Sequence, residues 1–340
     1  MSASTQAART PAVEIEFAEI PETRLKVSRI ALGTWAMGGW MWGGTDQRES
    51  VATIHAALDQ GINLIDTAPV YGFGVSEEII GAALLRRRTQ AVIATKVGLE
   101  WRDGRILRNA TRARIMQEID DSLRRLRTDY IDIYQVHWPD PLVPVEETAE
   151  AMRSLYEQGK IRAIGVSNFS VEQMERFRRV APLHVLQPPY NLFERAIEAE
   201  ILPYCRANNI LTLGYGALCR GLLSGRMRPD TTFDGDDLRQ IDPKFQPPRF
   251  AQYLDAVRQL DEFAERHFQR RVIHLAVRWM LDRGISVALW GGRHPEQVEA
   301  SRGVLGWSLN AAYREMIEYI VNQAIIDPVG PEFMAPSERS

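Results

Sequence analysis

Cysteine is nearly missing from this chain: Cys205 and Cys219 are the whole complement in 340 residues. Two are too few for a disulfide framework, and their spacing resembles no zinc site. A reducing cytoplasm is therefore the expected location. Long apolar runs are missing as well. Ala91–Thr95 is stopped by Lys96, far short of the ~20 apolar residues a membrane-spanning helix needs. Met1–Ala12 is polar and has no apolar stretch of the kind a secretory signal requires. It reads as a disordered tail ahead of a single domain over residues 13–340. Excess charge of one sign is also lacking: 41 basic and 44 acidic residues leave −3. No general basic field is available to attract nucleic acid or a membrane surface. The histidines are scattered, without a His-Glu-x-x-His or clustered Cys/His pattern, so no metal is expected.

What the chain does contain is a recurring unit: a short β-branched or apolar run, a loop, then an amphipathic helix. Ile30–Gly33, Leu64–Asp66, Val92–Lys96, Ile131–Val136, Ile161–Val166, Val185–Gln187, Ile210–Gly214 and Ser286–Leu289 supply eight such runs. One helix is bounded by Pro144 at its start and Gly159 beyond its end, with Val145, Met152, Leu155 and Tyr156 on one face. Another carries Ile115, Ile119, Leu123 and Leu126 at helical spacing. Eight strand–helix units without a linker predict a closed (β/α)8 barrel of the TIM type. A doubly wound sheet would leave the eight units without a second domain to hold them. Val13–Phe17 and Leu25–Val27, around Pro21-Glu22-Thr23, predict an N-terminal hairpin before the barrel. Ser224–Arg249 reads as a long polar insertion after the seventh strand, of a length that marks functional or mobile loops.

In such a barrel the chemistry belongs at the C-terminal ends of the strands. Asp66 ends the second strand, Lys96 the third, and His137 follows the fourth; Tyr71 lies five residues past Asp66. The set suits carbonyl reduction, where the oxygen gains negative charge and needs a proton donor. A phenol, with pKa about 10, gives up its proton reluctantly, and a neighbouring ammonium lowers that pKa. Lys96 can supply the ammonium, Asp66 can hold it, and His137 can bond the carbonyl oxygen. Singly, each residue has a plain structural reading: a turn-capping Asp, a surface Lys, a satisfied His, a packing Tyr. Their placement on successive strands is what favours chemistry.

These residues lie in blocks that resemble the aldo-keto reductases. Gly61-Ile-Asn-Leu-Ile-Asp-Thr-Ala-Pro-Val-Tyr-Gly72 with Ser76-Glu-Glu-Ile-Ile-Gly81 is similar to that family's signature. Ala94-Thr-Lys-Val-Gly98 and Gln135-Val-His-Trp-Pro-Asp140 are similar to its next two blocks. The resemblance runs from Leu25 to about Leu305. It implies a catalytic tetrad of Asp66, Tyr71, Lys96 and His137, with Tyr71 as general acid. It also implies NADP(H) as cofactor and a small carbonyl or polyol as substrate. Ser167, Asn168 and Gln187 would hold the nicotinamide carboxamide, Tyr215 would stack on its ring, and Thr34 and Trp35 would lie against it. Ala217, Leu218 and Gly221 would follow the pyrophosphate, near Gly291.

Arg293 suits an adenosine 2′-phosphate because a guanidinium offers forked donors; Gln297 would join it. Here the chain departs from the Lys-Ser pair of many members and resembles a bacterial subgroup that uses Arg and Gln. Arg239 and Lys244, in the insertion, are candidates to fold over the cofactor. Trp40, Trp42, Trp101 and Trp138 follow strand ends and predict an aromatic wall around a narrow pocket. Ala36-Met-Gly-Gly-Trp-Met-Trp-Gly-Gly44 and residues 327–336 are similar to bacterial glyceraldehyde or glycerol oxidoreductases of the family.

Two patterns lead nowhere. Gly72-Phe-Gly-Val-Ser-Glu77 has Glu77 where a dinucleotide fingerprint needs its third glycine, and Gly165-Val-Ser-Asn-Phe169 misses a nucleophile elbow at Phe169. The competing functions are a cofactor-binding regulatory module without turnover and, more remotely, a sugar-phosphate isomerase or lyase barrel.

Overall fold

Eight parallel strands close on themselves, and their edges meet between the fifth and sixth. The computed structural model describes residues 14–102 and 104–339; the expected tail at Met1–Ala12 lies outside them. The barrel strands are Ile30–Gly33, Leu64–Asp66, Val92–Val97, Ile131–Val136, Ile161–Ser167, Val185–Gln187, Leu211–Gly214 and Val287–Gly291. Each falls within one or two residues of its expected span.

Side chains on a strand alternate between faces, and that alternation builds the interior. Ala31, Leu64, Ala94, Ile133, Ala163, Val185, Leu213 and Leu289 point inward and form one buried apolar cluster. Two residues further along each strand, the same face presents Asp66 above Leu64, Lys96 above Ala94 and Gln135 above Ile133. Gln187 likewise follows Val185, and Tyr215 follows Leu213. A dry lower barrel therefore carries a polar ring at its upper end. The opposite faces, with Ile30, Leu32, Ile65, Ile93 and Ile164, are buried beneath the helices in a second, larger cluster. The helix Val145–Glu157 buries Val145, Met152 and Leu155, and Arg112–Leu126 buries Ile115, Ile119 and Leu126.

The lower end is plugged by the hairpin Phe17–Glu19 with Lys26–Ser28, whose Val27 and the adjacent Ile20 join the inner cluster. Its first strand starts later than expected. The antiparallel pairing runs back from Lys26–Ser28, and Ile20 N–H bonds the Leu25 carbonyl at 2.9 Å, which fixes the turn.

The upper end is covered by segments the sequence revealed less well. Leu99–Arg102 and Arg105–Arg108 form a short antiparallel hairpin after the third strand. The insertion after the seventh strand is polar in composition but anchored: Leu238 and Phe245 are buried in two short 3-10 turns. Its last residue, Arg249, already begins the helix Arg249–Phe268. Beyond the helix Ala311–Ala324, the chain returns across the mouth. There the Arg108 N–H bonds the Ser337 carbonyl at 3.0 Å, and Arg339 pairs with Asp140 at 2.8 Å. Among the described residues, no helix is long and apolar enough to cross a membrane.

Candidate active site

The polar ring faces a cavity of about 280 Å³ at the upper end of the barrel. Lys96 lies behind Tyr71, which lines the cavity, and is fully buried. Its Nζ donates to both Asp66 oxygens at 3.0 and 2.8 Å, to the Thr67 carbonyl at 2.9 Å, and meets the Tyr71 hydroxyl at 3.3 Å. Surrounded by oxygen atoms, the nitrogen is held as an ammonium. Burial nevertheless lowers its pKa below that of an ordinary lysine, against the pull of Asp66. Gln187 fixes Asp66 from the far side, its Nε2 donating to Oδ1 at 2.7 Å. Tyr71 and His137 line the cavity, their rings edge to face with centroids 6.0 Å apart. Burial, reinforced by the Lys96 charge, holds the His137 pKa well below the ordinary histidine value. Its ring is therefore neutral at pH 7, with one N–H to donate.

One expectation is reversed in direction. The Tyr71 phenol is pushed well above its ordinary pKa, by burial first and by Asp66 second. Burial and the Asp66 carboxylate outweigh the neighbouring ammonium, whose nitrogen lies 3.3 Å from the hydroxyl. Tyr71 is thus held as the protonated, donating form.

The residues expected at a nicotinamide surround the same space. Trp35, Ser167, Asn168, Gln187 and Tyr215 all line the cavity. Ser167 Oγ donates to the Gln187 carbonyl at 2.8 Å. Asn168 adopts a left-handed conformation, φ 62°, and donates through Nδ2 to the His137 carbonyl and Ser167 Oγ, both at 3.0 Å. Tyr215 donates its hydroxyl to Asn168 Oδ1 at 2.9 Å. Gln187 Oε1 accepts no hydrogen bond among the described residues, leaving an acceptor in the cavity for an amide N–H. That open acceptor suits the N–H of a carboxamide. Thr34 lies behind, its Oγ1 bonded to the Asp66 carbonyl at 2.9 Å and to Ser76 Oγ at 2.7 Å.

The other expected contacts lie along the upper rim. Ala217 and Leu218 lead into Cys219, Arg220 and Gly221, three consecutive left-handed residues with φ 46°, 54° and 90°. Gly291 pairs with Gly33 across the seam of the eighth and first strands. Arg293 reaches back to the first loop, donating through Nη1 to the Trp42 carbonyl at 2.9 Å and the Gly44 carbonyl at 3.4 Å. Gln297 Oε1 accepts from the Arg293 N–H at 2.9 Å and so caps the helix Pro295–Ala300.

The tryptophans divide. Trp40 and Trp138 line the cavity, whereas Trp42 and Trp101 stand behind its lining. Trp42 packs edge-on against Trp35 at 5.4 Å, and Trp101 packs on Phe73 at 5.7 Å. Of the insertion's cations, the two candidates Arg239 and Lys244 do not face the cavity. Lys244 is fully buried, pairing with Glu194 at 2.8 Å and donating to the Gly330 carbonyl at 3.0 Å. Arg220 joins that cluster through Glu194 at 2.5 Å and Asp242 at 2.6 Å. A buried ammonium demands such partners. Arg239 is held by Asp237, its Nε bond being 2.8 Å, and covers the Phe233 ring at 4.2 Å.

Three contributors escaped the sequence reading. Gln135 lies two residues before His137, and strand alternation alone would have turned it inward; its Oε1 is 3.4 Å from Gln187 Nε2. Ile106 comes from the unforeseen hairpin, and Phe333 to Ser337 from the returning C-terminal segment. The hairpin has no local sequence signal, and the resemblance carried by residues 327–336 does not tell that they cover the cavity. Among the described residues no group of His, Cys, Asp and Glu is arranged to hold a metal ion.

The Aldo/keto reductase family pattern matches residues 29–321. The chain belongs to the aldo/keto reductase family. It is 60% identical over 299 residues to aldo-keto reductase YhdN of Bacillus subtilis (strain 168), spanning 87% of this chain and 90% of that one. It is 36% identical over 292 residues to the NADH-specific methylglyoxal reductase of Escherichia coli (strain K12), spanning 80% and 89%. Among solved structures, the glycerol dehydrogenase of Gluconobacter oxydans superposes with a TM-score of 0.86 at 53% identity, over 94% of this chain and 99% of that one. An aldo/keto reductase from Klebsiella pneumoniae, in complex with NADP and acetate, does so with a TM-score of 0.68 at 28% identity, over 88% and 93%. This aldo/keto reductase is accordingly an oxidoreductase acting on small carbonyl compounds with a nicotinamide cofactor.

Proposed function

We propose that the protein interconverts a small aldehyde or ketone and its alcohol with NADP(H), with Tyr71 as the proton donor. The observation that carries this reading is the Lys96 ammonium, bonded to both Asp66 oxygens and 3.3 Å from the hydroxyl of Tyr71, which lines the cavity. When bound, the cofactor supplies the hydride. The protein's part is to bind, orient and protonate. Neutral His137 and protonated Tyr71 offer two O–H and N–H donors to one carbonyl oxygen. As that oxygen gains charge, the Tyr71 proton moves to it, and Lys96 stabilises the phenolate that remains. Asp66 keeps the lysine charged and aimed throughout. Ser167, Asn168 and Gln187 orient the carboxamide, and the ring of Tyr215 flanks it.

The adenosine end supports NADP over NAD. Arg293 spends only Nη1 on the first loop, leaving Nε and Nη2 without a partner among the described residues, a fork suited to a 2′-phosphate. A three-carbon substrate of the glyceraldehyde–glycerol type agrees with the small cavity and with the name of the Gluconobacter relative.

The test is NADPH oxidation with glyceraldehyde and other short aldehydes, compared with NADH. Tyr71→Phe is expected to lower kcat by ~10²- to 10⁴-fold while NADPH still binds. Full turnover by that variant would remove Tyr71 from the mechanism. Tight NADPH binding without turnover on any carbonyl would favour a regulatory role instead.

A further inference from the structure

The loop after the first strand makes an unusual approach to the residue assigned the proton. Gly38 closes the short 3-10 turn Trp35–Gly38 and is buried. A Cβ placed on it would lie 2.4 Å from the Tyr71 carbonyl carbon, 2.6 Å from its oxygen and 2.7 Å from the Gly72 nitrogen. These are backbone atoms, so no flexible side chain can swing away. Gly72 answers from the other side: with φ +66°, it tolerates no side chain easily, and a Cβ there would collide with the Gly38 carbonyl. Two main chains thus touch directly where Tyr71 leaves the second strand's loop. Gly38 itself does not need the left-handed region; what it lacks is room.

The same turn holds Tyr71 at a second point. Trp35, at its start, stacks on the Tyr71 ring with centroids 5.9 Å apart and planes 22° from parallel. Thr34, just before it, bonds the Asp66 carbonyl through both its N–H, at 3.0 Å, and its Oγ1, at 2.9 Å. Ser76 Oγ, at the start of the next helix, meets Thr34 Oγ1 at 2.7 Å and Thr67 Oγ1 at 2.9 Å. The turn is therefore pinned to the Asp66–Ser76 segment before, at and beyond Tyr71.

We propose that Gly38 and Trp35 are positioning residues, forming a two-point clamp on the Tyr71 peptide and ring that sets the phenol against Lys96. The inference rests on Tyr71 being the proton donor. The clamp matters because the lysine–phenol contact, at 3.3 Å, is the longest of the four around Nζ and has the least slack. A methyl on Gly38 must drive the Tyr71 peptide away by about 1 Å to reach ordinary contact. A misplacement of about that size at a reacting group costs on the order of 10- to 100-fold in rate.

The test compares Gly38→Ala with Gly43→Ala, a change in the same loop where a Cβ would meet nothing within 4 Å. Gly38→Ala is expected to lower kcat ~10- to 100-fold and to shift the pH profile of kcat, with NADPH affinity near that of the parent. Gly43→Ala should retain kcat despite its left-handed position. In a Tyr71→Phe background, Gly38→Ala should cost nothing further, since its effect passes through the phenol. A folded Gly38→Ala protein with unchanged kcat overturns the clamp, as does an undiminished Gly38→Ala loss in the Tyr71→Phe background. If Gly38→Ala cannot be recovered folded, Trp35→Leu decides. Because Trp35 also lines the cavity, that variant is read against the Tyr71→Phe background: a kcat loss that vanishes there supports the clamp, and a loss undiminished there, or an unchanged kcat, overturns it. Should Tyr71→Phe itself keep full activity, the assignment of the donor fails rather than the geometry of the loop.

Discussion

The two ends of the proposed cofactor path are built by different means. At the end proposed for nicotinamide, Asp66, Lys96, Gln135 and Gln187 stand on barrel strands, above Leu64, Ala94, Ile133 and Val185. At the proposed adenosine end, Arg293 stands on a loop and is already engaged with the Trp42 and Gly44 carbonyls. Strand groups are placed by the sheet's register and cannot turn elsewhere without unthreading the barrel. Loop groups are placed by their partners and can exchange them. In the proposed function, chemistry, which demands fixed distances, occupies the first setting, and recognition of the cofactor's outer half, which demands entry and release, the second.

The sharpest way to break this contrast is at its rigid end. Lys96→Met leaves Asp66 buried beside Gln187 without its cation, and removing one partner of a buried pair costs about 3–5 kcal/mol. Denaturant unfolding should record that loss, and turnover should vanish with it. At the loop end the same kind of charge removal should be mild and selective. Arg293→Ala is expected to raise the Kd for NADPH by ~10-fold, equivalent to about 1.4 kcal/mol, with little change for NADH. Fluorescence titration with both cofactors checks it, and equal effects on the two would place the 2′-phosphate elsewhere.

The smallest effect concerns pH. Because the His137 pKa lies well below 6.5 in the folded protein, the unfolded chain binds a proton there first as pH falls. Its contribution to stability is therefore full above 6.5 and declines as pH drops below it. His137→Gln should flatten that acid-side decline in unfolding curves. Turnover in the parent should show no break near 6.5 attributable to this ring.

The contrast also explains what was legible in the sequence. Strand residues declare themselves by alternation, so Asp66, Lys96 and His137 were found together with their register, and the same rule would have found Gln135. Lys244 was misjudged as a cation for the cofactor. Its partners Glu194 and Gly330 are distant in sequence, and no local pattern reports that an exposed-looking lysine is buried. The Leu99–Arg108 hairpin and the Phe333–Ser337 segment were missed for a related reason. They are held by contacts such as Arg108 to Ser337, which exist only once the barrel has brought them side by side. The reversed direction at Tyr71 is subtler: the charges were identified, but their distances decide which one prevails.

The hairpin beneath the barrel makes its interior a dead end. With Ile20 and Val27 packed into the floor, the chamber above the buried Lys96–Asp66 pair has no rear drain, and whatever fills it must retreat through the aperture by which a guest arrives. Filling the chamber and emptying it of solvent become one event, so the electric field at the reacting oxygen strengthens only as the ligand seats.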